Sequence, residues 1–328
     1  MERLKLTETT DVGRESDVVV PPNGDALRGP LRGPVLPVDD PADPRLSVYR
    51  DLNDPASRRR VEADGAIFVV DGKLAVRQLL ASDYRVQSLL VDDRQVTAGA
   101  DLVAAVRDRG APVYVGPRSV VLATVGFALH RGVVAVAHRP PAADAGRVLA
   151  EAVRKPSVGG GRPLVAVLEG LNDHENIGAM FRNAAAFGVG GVLLDPTCGD
   201  PLYRRSVRVS MGHVLHVPFA RLTPWPEAVA QVRSAGFLVA ALAPHAWSGV
   251  DGTADAAAPP RLENLEGLSL RSAAGRPVAL VLGAEGPGLS DAVMDAVDLV
   301  VSIPMAAGVD SLNVATAAAI AFHRFSGP

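Results

Sequence analysis

Short apolar runs alternate with amphipathic stretches along most of this chain. The C-terminal half contains four continuous apolar runs of strand length, which are LVAVL at 164–168, GVLL at 191–194, FLVAAL at 237–242 and VALVL at 278–282. A fifth run, LVVSI at 299–303, is interrupted only by Ser302. Such runs are typical of strands that are buried on both faces of a parallel sheet. Helical patterns separate them, as in 177–187, where apolar residues recur along one stripe. The pattern predicts an α/β domain over residues 163–328.

The N-terminal half predicts a second, smaller α/β unit over residues 43–140. The runs AIFVV, VQSLLV, PVYV and GVVAVA read as strands, and GKLAVRQLLAS and LVAAVRDRG between them read as helices. Residues 1–42 contain no aromatic residue and repeat Pro and Gly, which predicts a disordered arm. Residues 141–162, punctuated by Pro and Gly, predict a linker with one short helix, and 248–277 predicts a surface excursion.

The amino-acid composition limits the classes of protein to which this chain can belong. Hydrophobic residues make up 48% of the chain and charged residues 21%, which suits a packed core, but aromatic residues are only 4%. The net charge of -3 gives no overall attraction for nucleic acid, so any such binding must depend on local charge. The lone Cys198 and the scattered histidines predict no metal site. With neither a signal-peptide pattern nor an apolar run of about 18 residues, we expect a cytoplasmic protein that does not bind membranes.

Two of the apolar runs stop in loops that could bind a ligand. After 278–282 comes GAEGPGLS, whose glycines permit sharp turns and close approach of the backbone to a ligand. After 299–303 comes PMAAGVDSLNVA, in which Ser311 is expected to cap a helix and Asn313 to lie in its first turn. Because the carboxyl ends of parallel strands share one edge of a sheet, the two loops predict a ligand crevice there.

These loops resemble two sequence motifs of the SpoU (TrmH-like) branch of the SPOUT RNA methyltransferases. The matching stretches are GAEGPGLS at 283–290 and IPMAAGVDSLNVA at 303–315, and a third motif is matched upstream by NIGAMFRNAAAFG at 176–188. The N-terminal unit is similar to the L30e-like domain that many of these enzymes carry. That second likeness rests on element order and on Gly72, Lys73, His130 and Gly132.

The resemblance implies an S-adenosylmethionine-dependent methyltransferase that acts on a ribose 2′-hydroxyl of rRNA or tRNA. It also implies a C-terminal domain with helices on both faces of a parallel sheet and a trefoil knot, an RNA-binding L30e-like α/β/α domain, and a homodimer. The catalytic residues implied are Asn176, Arg182, Glu285, Ser311 and Asn313. The cofactor-binding residues implied are Leu282, Gly283, Glu285, Gly286, Gly288, Ile303, Pro304, Met305, Ser311 and Leu312.

Each of these residue types also has an ordinary structural use. Arg182, taken alone, reads as a surface arginine, and Asn176 and Asn313 read as caps or turn residues. A guanidinium is a poor base, so we assign Arg182 to positioning of the 2′-oxygen or its phosphate. The basic positions Arg204, Arg205 and Arg208 are either a solvated helix surface or contacts to RNA phosphates.

Two other functions compete with this reading. A catalytically silent RNA-binding or ribosome-assembly protein could use the same scaffold, although the matching motif residues argue against it. A nucleotide-binding oxidoreductase is disfavoured because GAEGPG has neither the GxGxxG order of a dinucleotide fingerprint nor the Gly-Lys-Ser/Thr of a P-loop.

Overall fold

Two β-sheets organise the chain in the computed structural model, one in each predicted domain. The structure describes residues 32–52, 54, 67–127, 129, 132–155, 161–244, 261–265 and 275–326. Residues 1–31, to which most of the predicted arm belongs, lie outside this part of the chain, as does His130.

The N-terminal sheet has five strands in the order β1-β4-β3-β5-β2. Strands β1, β3 and β4 are parallel, whereas β5 runs antiparallel to both β3 and β2. The strands are β1 (Val35–Pro37), β2 (Ile67–Asp71), β3 (Val86–Asp92), β4 (Val113–Gly116) and β5 (Val133–His138). The helices are α1 (Lys73–Leu80), α2 (Ala100–Asp108) and α3 (Arg118–Val125), with 3₁₀ turns at Pro44–Tyr49, Asp93–Gln95 and Thr97–Gly99.

Strand β1 corrects the predicted end of the N-terminal arm. It lies inside 1–42 and pairs with β4, with Val35 opposite Val113. Just before it, Gly33 donates a main-chain hydrogen bond to Arg107, and a Cβ on Gly33 would lie 1.9 Å from the Ala111 carbonyl oxygen. A strand of three residues is too short to show a periodic pattern, and its proline is tolerated because the strand lies at the sheet edge.

The C-terminal sheet has seven strands, all parallel, in the order β10-β12-β9-β11-β6-β7-β8. Its central strands are the continuous apolar runs of the sequence, and β11 is fully buried up to Leu282. The strands are β6 (Leu164–Glu169), β7 (Gly191–Leu194), β8 (Phe219–Arg221), β9 (Leu238–Leu242), β10 (Arg261–Asn264), β11 (Val278–Gly283) and β12 (Leu299–Ser302). The parallel α/β architecture predicted from the sequence is confirmed, whereas the knot stays a prediction.

Helices pack on both faces of this sheet. They are α4 (Ala145–Arg154), α5 (His174–Ala186), α6 (Arg204–Val209), α7 (Val229–Ser234), α8 (Asp291–Ala296) and α9 (Val314–Ser326), with a 3₁₀ turn at His213–Leu215. None of the helices described here combines the length and apolar character needed to cross a membrane.

Helix α4 corrects the predicted linker at 141–162. Val148, Leu149 and Ala152 are buried and belong to the core on one face of the C-terminal sheet. A Cβ on Gly191 would lie 2.4 Å from Val148 Cγ1, so the helix packs closely against β7. The amphipathic face of α4 therefore makes it part of the C-terminal domain.

The predicted surface excursion at 248–277 contains an edge strand of the sheet. Strand β10 lies within it and pairs with β12, with Asn264 opposite Ser302. Its sequence, RLEN, has no run of apolar residues, and for that reason the pattern does not reveal it. Residues 245–260 and 266–274 lie outside the described chain.

The two domains share one continuous core, although the sequence predicts a linker between them at 141–162. The same cluster of buried apolar residues contains Leu79 of α1 and Leu215 of the C-terminal domain. A Cβ on Gly212 would lie 2.7 Å from Gln78 Cβ and 3.0 Å from Ala75 Cα, which shows how closely α1 approaches. Sequence periodicity identifies the apolar faces of helices but not the domain that covers them.

Candidate active site

The carboxyl ends of three neighbouring strands enclose a cavity of about 420 Å³. Strand β11 lies between β9 and β6, and β9 also pairs with β12, so β9, β11 and β12 end side by side. The cavity is lined by residues that follow these strands and by the start of α9. Its size is within the usual range for small-molecule sites, roughly 300–1,000 Å³.

The loop after β11, residues 283–290, folds back on itself at the cavity wall. Ala284 and Gly288 form an isolated antiparallel bridge, and Gly288 donates a main-chain hydrogen bond to Ala284. Gly286 and Gly288 have φ of +93° and +72°, a conformation that glycine adopts without steric cost. A Cβ on Gly283 would lie 2.3 Å from the carbonyl carbon of Gly288, so the loop closes only around a glycine there.

Three predicted catalytic residues meet in one polar cluster beside this loop. Glu285 Oε1 accepts hydrogen bonds from Asn313 Nδ2 at 2.6 Å and from Asn176 Nδ2 at 3.2 Å. Asn313 Nδ2 also donates to Asn176 Oδ1 at 2.8 Å, and the main-chain nitrogen of Val314 donates to Glu285 Oε1 at 3.2 Å. We define Asn176, Glu285 and Asn313 as the Glu285 cluster. It joins α5, the glycine loop and the start of α9.

The cap of α9 differs from the sequence prediction. Asn313 Oδ1 accepts hydrogen bonds from the main-chain nitrogens of Ala315 at 3.1 Å and Thr316 at 3.2 Å, so Asn313 is the capping residue. Ser311, which was expected to cap the helix, is exposed and lines the cavity instead. The cap depends on where the helix begins, and the irregular loop before α9 gives no periodic signal of that position.

The structure places the predicted cofactor residues around the cavity, with one exception. Pro304 is exposed and is not part of the cavity wall. The others, which are Leu282, Gly283, Glu285, Gly286, Gly288, Ile303, Met305, Ser311 and Leu312, all line it.

Sequence reasoning missed one side of the cavity. Leu242, Ala243 and Pro244, at the end of β9, form part of the wall, together with Leu289 and Ala317. The run FLVAAL signals the strand, but only the order of strands in the sheet shows that its end lies beside β11 and β12.

Arg182 lies on a different side of α5 from the Glu285 cluster. It follows Asn176 by six residues, which corresponds to about 9 Å along the helix and about 120° around it. Its side chain is exposed, and its charge acts on His213. Burial, and then the charges of His216 and Arg182, lower the pKa of His213. One chain therefore does not bring Arg182 to the cavity.

The three arginines predicted to contact RNA have different environments. Arg204 is mostly buried between the domains, where Nη1 is 2.9 Å from Asp71 Oδ2 and the guanidinium lies 4.1 Å from the centroid of the Phe127 ring. This placement contradicts the prediction for Arg204, because a guanidinium enclosed in this way cannot reach a phosphate. Arg205 is exposed and pairs with Glu175 at 2.5 Å, and Arg208 is exposed.

Comparisons with known proteins agree with this architecture. The sequence profile of the SpoU rRNA methylase family matches residues 163–323. An uncharacterized tRNA/rRNA methyltransferase of Mycobacterium tuberculosis is 41% identical over 290 residues, covering 88% of this chain and 91% of that protein. A Staphylococcus aureus protein assigned to the TrmH family of tRNA/rRNA methyltransferases is 29% identical over 260 residues, covering 78% and 94%.

Solved structures show the same fold. An rRNA methyltransferase of Sinorhizobium meliloti with AdoMet bound superposes with a TM-score of 0.69 at 23% identity, covering 88% of this chain and 97% of that one. The SpoU methyltransferase AviRb of Streptomyces viridochromogenes, in complex with AdoMet, gives 0.66 at 24% identity, covering 87% and 98%. The fold is that of an α/β SPOUT methyltransferase. The chain belongs to the SpoU rRNA methylase family.

Proposed function

We propose that this protein transfers a methyl group from S-adenosylmethionine to a ribose 2′-hydroxyl of rRNA or tRNA. The observation that carries the proposal is the Glu285 cluster, which stands beside a cavity of suitable size in a chain of the SpoU family. The relatives are named as tRNA/rRNA methyltransferases, which supports RNA as the substrate. We place the reaction in the cytoplasm.

The cavity suits S-adenosylmethionine. Leu282, Ile303 and Leu312 give it apolar surface for a flat adenine, and the open glycine loop offers main-chain groups for hydrogen bonds. Gly286 and Gly288 have nothing within 4 Å of a Cβ position, so a ligand can approach the main chain there. When bound, S-adenosylmethionine would supply its electrophilic methyl group to the 2′-oxygen and leave as S-adenosylhomocysteine, and the hydroxyl proton would pass to a neighbouring group or to the RNA phosphate.

The Glu285 cluster fixes the geometry of this wall. Its hydrogen bonds tie α5, the loop after β11 and the start of α9 together at the cavity wall. Asn176 is buried, and its amide is committed to Glu285 and Asn313. We therefore assign Asn176 and Asn313 to orienting Glu285, and Ser311 to the exposed edge where substrate enters.

Arg182 holds the acceptor. Its positively charged guanidinium stabilises negative charge on the 2′-oxygen or binds the adjacent phosphate. Since Arg182 and the cavity lie on different sides of α5 in one chain, the complete site needs Arg182 from a second copy. We therefore propose a homodimer. The exposed apolar residues Val309, Leu312 and Ile320, near and on α9, supply surface for it.

We assign RNA docking to the N-terminal domain together with α6 of the C-terminal domain, which carries Arg208. Arg208 is the exposed member of the predicted basic positions that has no ion pair within the described chain. The net charge of -3 provides little general attraction, so RNA must be held by local contacts on both domains.

The test is transfer of a tritiated methyl group from S-adenosylmethionine to rRNA and tRNA of the source cell, followed by mapping of 2′-O-methyl positions. Arg182→Ala is expected to lower transfer by about a hundredfold or more with little change in S-adenosylmethionine affinity. Arg182→Lys is expected to restore little, because an ammonium lacks the planar two-point contact. Mixing Arg182→Ala with a cavity variant such as Gly283→Ala should restore part of the activity if the site is shared between two chains.

Three outcomes would overturn the proposal or one part of it. A protein that binds RNA but neither binds S-adenosylmethionine in calorimetry nor transfers methyl groups would be a silent RNA-binding protein. A full activity of Arg182→Ala would remove that residue from the mechanism, and methylation mapped to a base would exclude the ribose as acceptor.

A further inference from the structure

Glu169 closes the glycine loop from outside the three sequence motifs. It is the last residue of β6 and is half-buried. Its carboxylate accepts three hydrogen bonds: Oε1 from Trp225 Nε1 at 2.9 Å and from Ser290 Oγ at 2.7 Å, and Oε2 from the Ser290 main-chain nitrogen at 2.8 Å. Two of the three donors belong to Ser290, the last residue of the loop.

The main chain of Glu169 lies beside the other end of the same loop. In the parallel pairing of β6 and β11, Glu169 is in register with Gly283, where the loop begins. Glu169 therefore lies at both ends of the loop. Its main chain is in register with Gly283 at the start, and its side chain binds Ser290 at the end. This explains how Gly283 comes so close to Gly288 and Leu289 that a Cβ would overlap their main-chain atoms, at 2.3 to 2.6 Å.

Ser290 connects Glu169 to the neighbouring part of the cavity wall. Its hydroxyl donates to Glu169 and also caps α8 by accepting from the Val293 main-chain nitrogen at 3.4 Å. Leu289, directly before it, lines the cavity and packs against the core. The loop is thus held at its closing end by Glu169 and near its apex by Glu285, whose partners lie on α5 and α9.

We propose that Glu169 is a positioning residue for S-adenosylmethionine binding, which it serves by closing the loop of residues 283–290 through Ser290. The inference rests on the proposed function, since it assigns a role at the same cavity. Three hydrogen bonds to one carboxylate explain why the residue is acidic, because an amide cannot accept from all three donors. In a glutamine, the NH₂ group would face either the Ser290 N–H or the Trp225 N–H.

The test compares Glu169→Gln with Asp298→Asn as a matched control. Asp298 also accepts a main-chain hydrogen bond, from Val239 at 2.9 Å, and binds Arg233 Nε at 2.9 Å, but it lies at the opposite, amino ends of β9 and β12. Both variants remove one charge from the same sheet. A loss that is due only to lower stability should therefore be alike in the two.

The expected result is that Glu169→Gln weakens S-adenosylmethionine binding by about tenfold or more in calorimetry, the scale of a lost charged hydrogen bond. Asp298→Asn should leave that affinity within about twofold. In ligand-free protein, hydrogen exchange of the 283–290 amides should rise in Glu169→Gln and stay unchanged in Asp298→Asn. Trp225→Phe, which removes the indole N–H together with part of the ring system, should change the affinity by less than Glu169→Gln.

The exchange measurement separates this inference from the proposed function, since it needs neither cofactor nor RNA. If the wild type does not bind S-adenosylmethionine, the proposed function fails while loop closure is still measured. Unchanged exchange in Glu169→Gln would overturn the positioning role. So would an equal loss of affinity in Asp298→Asn, or an effect of Trp225→Phe as large as that of Glu169→Gln, because the segment at Trp225 would then be the element that matters.

Discussion

The side chain of Asn313 serves two elements at once. Its Nδ2 donates to Glu285 Oε1 at 2.6 Å, and its Oδ1 caps α9 by accepting from the main-chain nitrogens of Ala315 and Thr316. A side-chain amide holds a donor and an acceptor on one planar group. The position of the glycine loop is thereby tied to the start of α9.

Replacing Asn313 with Asp should separate these two uses. Aspartate also caps helices well, so stability should change little. A carboxylate at this position loses the donor to Glu285 and sets a like charge beside it, so S-adenosylmethionine affinity should fall by about tenfold or more. Asn313→Ala should lose the cap as well, at about 1 kcal/mol in urea unfolding.

Asn183→Asp is the control for this prediction. Asn183 donates to the Ala315 carbonyl at 2.8 Å and so also joins α5 to α9, but no hydrogen bond of the described chain links it to Glu285. The Asn183→Asp variant should be less stable than the wild type and keep the wild-type affinity for S-adenosylmethionine. Wild-type affinity in Asn313→Asp would show that the orientation of Glu285 does not matter to the cavity.

Two glycines of the loop should respond differently to alanine. At Gly283 the new Cβ would lie 2.3 Å from the Gly288 carbonyl carbon, so the loop must open. At Gly286 the Cβ meets nothing within 4 Å, and the cost comes only from φ of +93°, roughly 1–2 kcal/mol. Gly283→Ala should therefore abolish measurable S-adenosylmethionine binding, and Gly286→Ala should weaken it. The reverse order in calorimetry would contradict this account of the loop.

The sequence predicts those parts of the fold that have a pattern of their own. The run Val278–Leu282 becomes the buried part of β11, and the polar residues after the strands form the Glu285 cluster. Strand β10 and strand β1 are missed because short edge strands bury too little surface to need an apolar run.

Contacts between distant parts of the chain are the other feature that the sequence does not predict. Glu169 and Ser290 are 121 positions apart, and nothing in the local sequence of either shows that they meet. Arg204 and Arg205 are neighbours on one helix, yet the first is enclosed between domains and the second is exposed. Such differences follow from the order of strands and the docking of domains, which periodicity does not encode.

The thiol of Cys198 should be a sensitive probe of the intact domain. Burial, and then the charge of Asp195, raise the pKa of Cys198 to about 12. At pH 8 the folded protein should hold on the order of one thiolate in 10⁴ molecules, so reaction with a disulfide reagent should be very slow. Because the chain has a single cysteine, full reaction in denaturant supplies the reference.

The raised pKa of Cys198 also predicts how this thiol changes the stability of the protein as pH rises. Above the ordinary thiol pKa of about 8.5, the unfolded chain loses its proton while the folded chain keeps it. This group's contribution to stability should thus be complete below about pH 8.5 and decline toward pH 12. Cys198→Ala should remove that component of the alkaline decline. Rapid labelling of the native protein at pH 8 would show that the thiol is accessible.

The ion pair between Arg204 and Asp71 should stabilise the folded protein, whereas the pair between Arg205 and Glu175 should contribute little. Asp71 is 6% exposed and Arg204 is 12% exposed, so Arg204→Ala leaves a buried carboxylate without its guanidinium and also removes the cation from the Phe127 ring. Breaking such a pair costs about 3–5 kcal/mol. Arg205 and Glu175 are both about half exposed, at 53% and 52%, so Arg205→Ala should unfold at nearly the wild-type urea concentration.

Arg204→Ala and Arg208→Ala together test the division between structure and RNA binding. Urea unfolding gives stability, and fluorescence anisotropy with a labelled RNA oligonucleotide, at several salt concentrations, gives affinity. Arg208→Ala should weaken RNA binding and reduce the salt dependence, with stability unchanged, because the residue is exposed. Arg204→Ala, measured at a temperature where it is folded, should bind RNA with the wild-type salt slope. A reduced slope in Arg204→Ala together with wild-type stability would mean that the arginine leaves Asp71 to contact phosphate, and the two domains would then be free to separate.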